Sequence, residues 1–116
     1  MRRVGVWAAL LAVVLVGCQT SADRYGAIAL SETTGRWGPS YDLATQASAE
    51  EAALRYCDAE DCRIVVWFAN TCGAVARRPE VVAWGLGETR EVAEDAALAE
   101  CGPDGCEVVG WACTAR

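Results

Sequence analysis

Six cysteines beyond residue 56 could bind a metal, take part in thiol exchange or form disulfides. They are Cys57, Cys62, Cys72, Cys101, Cys106 and Cys113. Four of them form two Cys-x4-Cys pairs, whereas structural zinc sites usually place their ligands closer together. An even number of cysteines is typical of a disulfide framework in an exported chain. The pattern therefore predicts three disulfides, no metal site and no cofactor.

An internal duplication restricts how these cysteines can pair. When the two copies are aligned, Cys72 corresponds to Tyr25 and Cys113 corresponds to Ala69, so neither has a cysteine counterpart. A pairing that respects the duplication must join Cys72 to Cys113. The strands that carry them would then be adjacent, and Tyr25 should lie next to Ala69.

The other four cysteines leave three pairings open. The simplest is local, Cys57–Cys62 and Cys101–Cys106, with each disulfide joining the end of a helix to the start of a strand. A separation of five residues across a tight turn is compatible with the Cα spacing of a disulfide. Pairing of Cys57 with Cys101 or with Cys106 is the alternative.

The chain has few groups for catalysis. It contains no histidine, and all of its basic residues are arginine, so Ser-His-Asp and Cys-His arrangements cannot form. Carboxylate pairs remain, but no motif distinguishes any of them. The acids Asp58, Glu60 and Asp61 lack the ligand order of a calcium loop, which favours a solvated loop. These absences indicate a protein that is not an enzyme.

Aromatic residues are the remaining candidates for recognition. Two repeat-related pairs of tryptophan occur, Trp37 with Trp84 and Trp67 with Trp111. We assign Trp67 and Trp111 to the core, where they would fill space among residues that are otherwise mostly Ala, Gly and Val. The other pair precedes glycine near loops, where tryptophan faces can bind partners. The predicted recognition residues are Trp37, Trp84, Arg36 and Tyr41.

The duplication also predicts the elements that position these residues. Each copy reads as strand, strand, helix, strand. The predicted helices run over 45–57 and 89–101, with Thr45 and Thr89 as N-caps. In the first copy Ser48 with Glu51 is an alternative capping box. The apolar run 64–68 is predicted to be a central strand because it does not alternate. The predicted fold class is α+β, with two tandem repeats forming one antiparallel or mixed sheet, or two packed sheets, covered by two helices and stapled by disulfides.

The N-terminus indicates export. Arg2 and Arg3 precede an apolar stretch of 13 residues, Val4–Val16, which is shorter than a membrane-spanning helix. Leu15-Val16-Gly17-Cys18 resembles the bacterial lipobox, in which cleavage precedes a cysteine that then carries lipid. The predicted organisation is a signal peptide at 1–17, a lipid-anchored tether at 18–24, and one duplicated domain at 25–116, with repeats at 25–69 and 72–113.

Charge and location restrict the partners. The chain has 10 basic and 16 acidic residues, and without Arg2 and Arg3 the balance is 8 against 16, a net charge of −8. Nucleic-acid binding is disfavoured because it requires basic patches. The predicted partners are the membrane, through lipid on Cys18, and an envelope protein or glycan. Gln19 follows Cys18, which in Gram-negative bacteria favours the periplasmic side of the outer membrane.

In combination, these motifs resemble one family. The matching segments are Tyr25 to Ala29, Ser31 to Gly38, Ala49 to Leu54, Cys57 with Cys62, Val65 to Phe68, and Cys72 to Ala74. Together they resemble the bacterial domain-of-unknown-function family 4189, over Tyr25 to Cys113. The resemblance implies a small, exported, cysteine-rich protein or lipoprotein with no established enzymatic activity, so it supplies no catalytic residues.

The sequence therefore predicts a non-enzymatic lipoprotein of the cell envelope that acts as a binding module. An inhibitor or immunity-type lipoprotein against a toxin or hydrolase is one alternative, because an acidic surface would complement a basic partner. An envelope enzyme that depends on carboxylates or a metal is the other.

Overall fold

The computed structural model describes residues 22–115, so the predicted signal peptide and Cys18 lie outside the described residues. Within these described residues, six strands and two helices follow one another. They are β1 (Tyr25–Leu30), β2 (Trp37–Leu43), α1 (Gln46–Cys57), β3 (Arg63–Ala69), β4 (Cys72–Arg78), β5 (Val81–Gly87), α2 (Arg90–Cys101) and β6 (Glu107–Cys113). Each repeat therefore contributes two strands, a helix and a third strand, as predicted.

Each repeat forms its own three-stranded antiparallel sheet. The strand orders are β2-β1-β3 and β5-β4-β6, so the first strand of each repeat is central. The prediction that 64–68 forms a central strand is wrong, because β3 lies at an edge. Its continuous apolar pattern has a local cause. The register between β1 and β3 shifts by one residue near Val65, which interrupts the alternation of faces there.

Both helices begin at the predicted caps. The Thr45 side chain accepts a hydrogen bond from the Ser48 backbone N–H, and the Thr89 side chain accepts one from Val92. Alanine on the buried face lets each helix approach its sheet closely. At Gly38 of β2 an added Cβ would lie 2.3 Å from the Ala53 carbonyl oxygen, so α1 rests directly on the strand backbone. Gly85 of β5 meets α2 in the same way.

The two sheets pack face to face, and the helices cover their outer faces. One buried cluster lies between the sheets and contains residues of both. Its members are Ile28, Leu30, Val66, Phe68, Val75 and Ala112. Smaller clusters rich in alanine lie beneath each helix. The order of layers is therefore α1, first sheet, second sheet, α2. At one side of this sandwich β2 contacts β6, and at the other side β3 contacts β5.

Three disulfides link these elements within residues 22–115. Cys57–Cys62 and Cys101–Cys106 each join the end of a helix to the start of the next strand, with Cα atoms 6.2 Å apart in both. Cys72 and Cys113 are bonded across β4 and β6, where they are direct partners in register. These are the pairs of the local pattern that respects the duplication.

Tyr25 and Ala69 are direct partners between β1 and β3, as the pairing of Cys72 with Cys113 predicts. Within residues 22–115, no helix is long and apolar enough to cross a membrane.

Candidate binding surfaces

The sequence contains acids, cysteines and aromatic residues as candidate functional groups. Among the acids, Asp61 makes several hydrogen bonds, and its role is structural. Asp61 accepts hydrogen bonds from the hydroxyl groups of Ser31 and Thr33 and from the Thr33 backbone N–H. The Ser31 hydroxyl, and after it that of Thr33, lowers the pKa of Asp61 below its ordinary value. Ser31 is completely buried. These bonds hold the β1–β2 loop against the loop closed by the first disulfide.

Arg36, a predicted recognition residue, contributes to the same junction. Its Nε donates a hydrogen bond to the Cys57 carbonyl oxygen at 3.2 Å, and its guanidinium lies 3.4 Å from the Asp58 carboxylate. A cation at the C-terminal end of α1 is favourable because the carbonyl groups there carry partial negative charge. Among residues 22–115, no group of three or more His, Cys, Asp or Glu is placed to hold a metal ion.

The repeat-related residues Trp37 and Trp84 have different environments. Trp37 is half-buried and packs over Gly110 of β6, where an added Cβ would lie 2.5 Å from the indole ring. The position equivalent to Gly110 in the first repeat is Val66, whose side chain occupies that space. Trp84 consequently remains 48% exposed at the other side of the sandwich.

Trp67 is also exposed, so its assignment to the core is wrong. It is 45% exposed on the outer face of β3, where its ring lies 6.2 Å from that of Tyr25. Its counterpart Trp111 packs against the second core and is covered by the guanidinium of Arg90, 4.2 Å from the ring centroid. In the first repeat a glutamine stands in place of that arginine. Its side chain donates a hydrogen bond to Glu50, as that of Arg90 does to Glu94.

Trp67 and Trp84 are among the residues that line a groove between the edge strands β3 and β5, which we call the tryptophan groove. Its volume is about 520 Å³. Its lining residues are Val65, Val66, Trp67, Phe68, Ala69, Thr71, Trp84 and Leu86. None of them carries a charge, although the chain as a whole is strongly acidic. Trp84 thus lines the same groove as Trp67, although their side chains leave opposite faces of their sheets, and Trp37 lies at the other side of the sandwich.

A second groove lies between β2 and α1 and is termed the tyrosine groove. Its volume is about 540 Å³. Its lining residues are Pro39, Ser40, Tyr41, Leu43, Ser48, Glu51, Ala52, Arg55 and Tyr56. Tyr41 is 58% exposed and Tyr56 is 68% exposed. Glu51 and Arg55 form an exposed ion pair of 3.8 Å along the helix.

Sequence reasoning found Tyr41 and missed Tyr56. The duplication contains the signal that would have found it, since Tyr56 corresponds to Glu100 in the second helix. A helical position that holds a charged residue in one copy faces solvent in the other copy too. An aromatic residue at such a position is therefore exposed to solvent and is a candidate for recognition.

The two grooves lie at opposite edges of the first sheet, because β2 and β3 flank β1. The four predicted recognition residues consequently do not form one surface. Tyr41 belongs to the tyrosine groove and Trp84 to the tryptophan groove. Trp37 packs between the sheets, and Arg36 contacts the end of α1.

Comparison with known proteins supports the architecture. Residues 25–113 match the family model described as Domain of unknown function (DUF4189). Protein Mb1300c of Mycobacterium bovis and Protein Rv1269c of Mycobacterium tuberculosis are each 44% identical over 69 residues, which cover 60% of this chain and 54% of the relative. The chain thus spans about half the length of the curated relatives it matches.

A solved structure shows the same fold. The NMR structure of Rv1813c from Mycobacterium tuberculosis is 36% identical in sequence and superposes with a TM-score of 0.58. The match covers 78% of this chain and 74% of that one.

Proposed function

The chain belongs to the family described as Domain of unknown function (DUF4189), and from that premise we propose that it is an exported, lipid-anchored envelope protein that binds another envelope protein without catalysing a reaction. The observation that carries the binding role is the tyrosine groove, where Tyr41 and Tyr56 are exposed beside Arg55. Tyrosine and arginine are the residue types enriched at the energetic centres of protein interfaces.

The chemistry of the groove supports a protein as its occupant. Two exposed phenol rings supply apolar area and a hydroxyl group each, at a low cost in conformational entropy. The ion pair of Glu51 with Arg55 supplies a polar rim of both signs. A net charge of −8 on the mature chain would steer a basic partner towards it, which is the feature that the inhibitor or immunity-type alternative requires.

The proposal of a lipid anchor is supported by the sequence before residue 22 and by the disulfides of the domain. Cys18 follows an apolar stretch and a lipobox-like tripeptide. Three disulfides within the domain are consistent with an oxidising compartment outside the cytoplasm. Attachment through more than one acyl chain gives stable anchoring, whereas a single chain binds a membrane only marginally.

The absence of catalysis is proposed from the side chains that are present. The sequence has neither histidine nor lysine to act as a base. Ser31, the hydroxyl that lies closest to a carboxylate, is fully buried, and its bond to Asp61 serves the loop junction. It is therefore closed to a substrate.

Photo-crosslinking in living cells tests the binding role. A benzophenone amino acid at position 56 should form a discrete adduct with an envelope protein, and Tyr41→Ala should reduce it. The matched control places the same amino acid at position 100, the equivalent exposed site on α2. Equal adducts from both positions, or an adduct with glycan only, would refute the proposed protein-binding site.

A further inference from the structure

We infer that the tryptophan groove lies on the surface of the membrane to which the chain is anchored, with Trp67, Trp84 and Leu86 in the interfacial layer of the lipid. This inference rests on the proposed lipidation of Cys18. It concerns the orientation of the domain, which anchoring alone does not determine. The argument depends on where the tether leaves the domain, how long it is, and what the groove exposes.

The tether leaves the domain directly beside the groove. Asn70, in the turn between β3 and β4, accepts a hydrogen bond from the Arg24 backbone N–H and donates its own backbone N–H to the Arg24 carbonyl oxygen, both at 3.0 Å. Its side-chain amide also donates to the Asp23 carboxylate at 3.0 Å. The neighbours of Asn70 in sequence, Ala69 and Thr71, both line the tryptophan groove.

The remaining tether is short. Because Asp23 is already bonded to the domain, only five peptide steps separate it from Cys18. At full extension they span about 18 Å, since a residue advances the chain by at most ~3.6 Å. The interfacial layer on each side of a bilayer is itself about 5–7 Å thick. The edge that carries β3 is therefore held close to the lipid, while β2 at the opposite edge is directed away.

The residues of the tryptophan groove are of the types found at a membrane–water interface. Tryptophan is enriched at membrane–water boundaries because its ring is apolar and its N–H is polar. The eight lining residues carry no charge, whereas an acidic surface would be repelled by anionic lipid. A tether makes the second contact effectively intramolecular, so a modest apolar area is enough to favour one orientation.

This orientation gives the two grooves different roles. With β3 and β5 against the lipid, the tyrosine groove at the β2 edge faces the aqueous compartment and remains open to a protein partner. Two differences between the repeats concern this edge. Val66 stands where the second repeat has Gly110, over which Trp37 packs, and a glutamine stands where Arg90 covers Trp111.

Fluorescence quenching by brominated lipid tests the inference. The lipidated chain is reconstituted into vesicles of phosphatidylethanolamine and phosphatidylglycerol with brominated acyl chains. Tryptophan emission should be quenched, and the double variant Trp67→Phe/Trp84→Phe should lose that quenching. The control Trp111→Phe should retain it, because that ring lies beneath Arg90. Trp67 and Trp84 are both exposed in the unsubstituted chain. Replacing them should therefore leave its thermal unfolding unchanged.

Flotation with the vesicles separates this inference from the anchoring proposal. A chain that floats but shows equal quenching in the double variant and the control would refute the orientation and leave the anchor intact. A chain that carries no lipid and does not float refutes both. Cys18→Ser supplies the unanchored reference.

Hydrogen exchange gives a readout that needs no substitution in the groove. On vesicles the amides of β3 and β5 should exchange more slowly than in Cys18→Ser, while those of β2 should be unchanged. Protection of β3 and β5 that instead rises with protein concentration, without vesicles, would show that a second copy covers the groove and would overturn the inference.

Discussion

Asp61 shows how one surface carboxylate can fix the relation between two loops. It is exposed, yet it accepts three hydrogen bonds from Ser31 and Thr33 across the β1–β2 loop. The Ser31 hydroxyl in turn accepts hydrogen bonds from the backbone N–H and hydroxyl of Thr34. Bonds to an ionised acceptor are stronger than those between neutral groups. The second repeat closes the corresponding connection with the short turn Pro79-Glu80 and has no such network.

The pH dependence of stability follows from the lowered pKa of Asp61. Its hydrogen bonds favour the charged form in the folded state, so folding lowers the pKa relative to the unfolded value of about 3.9. The stabilisation is therefore present at neutral pH and is lost as pH falls through the folded pKa. We expect Asp61→Asn to lower the melting temperature at pH 7. The difference from the unsubstituted chain should shrink as the pH approaches 3.

The neighbouring acid supplies the control for this prediction. Glu60 lies in the same loop, and the structure shows no hydrogen bond to its side chain within residues 22–115. Glu60→Gln should therefore leave the pH dependence of the melting temperature unchanged. A difference between Asp61→Asn and the unsubstituted chain that is constant from pH 7 to pH 3 would contradict the assignment.

At the scale of elements, the disulfides differ in what they restrain. Cys57–Cys62 and Cys101–Cys106 each span five residues and fix a helix end to the next strand. Cys72–Cys113 spans 41 residues and bonds the first strand of the second repeat to the last. In the chain-entropy treatment a longer closed loop restricts the unfolded chain more. The disulfide without a counterpart in the first repeat should therefore stabilise the fold most.

Paired substitutions can measure this ranking. We expect Cys72→Ala with Cys113→Ala to lower the free energy of unfolding by about 4 kcal/mol, and Cys101→Ala with Cys106→Ala by about 2 kcal/mol. Chemical denaturation of both variants under the same conditions gives the comparison. If the local pair proves the more costly to remove, native contacts at the helix end must outweigh the entropy of the unfolded chain.

The duplication made local structure predictable and left the outer surfaces unpredictable. Helix caps, strand order along the chain and the pairing that respects the repeat all depend on residues within one copy or on direct equivalence between copies. The exposure of Trp67 and the burial of Trp37 depend on what the opposite sheet or the adjacent helix supplies. A glycine at position 110 accepts Trp37, and an arginine at position 90 covers Trp111. Neither partner is close in sequence to the ring it contacts.

At the scale of the whole molecule, Phe68 connects the two repeats. Its ring is almost fully buried and lies against both central strands. An added Cβ at Gly26 of β1 or at Gly73 of β4 would lie 2.6 Å from a ring carbon. The equivalent residue in the second repeat is Ala112. The Phe68 side chain alone therefore fills this part of the space between the two sheets. Neither sheet has its inner face covered unless the other is in place.

This shared core predicts that the two repeats unfold together. Phe68→Ala should lower the free energy of unfolding by roughly 3–5 kcal/mol, as removal of a buried phenylalanine does. Native-state hydrogen exchange should then show faster exchange in α1 and in α2 by the same factor, since both helices open only with the global transition. Tyr56→Ala, which removes an exposed ring from α1, should change neither helix. Faster exchange confined to α1 after Phe68→Ala would mean that each repeat is a separate cooperative unit, with the contact between the sheets secondary to the packing of helix on sheet.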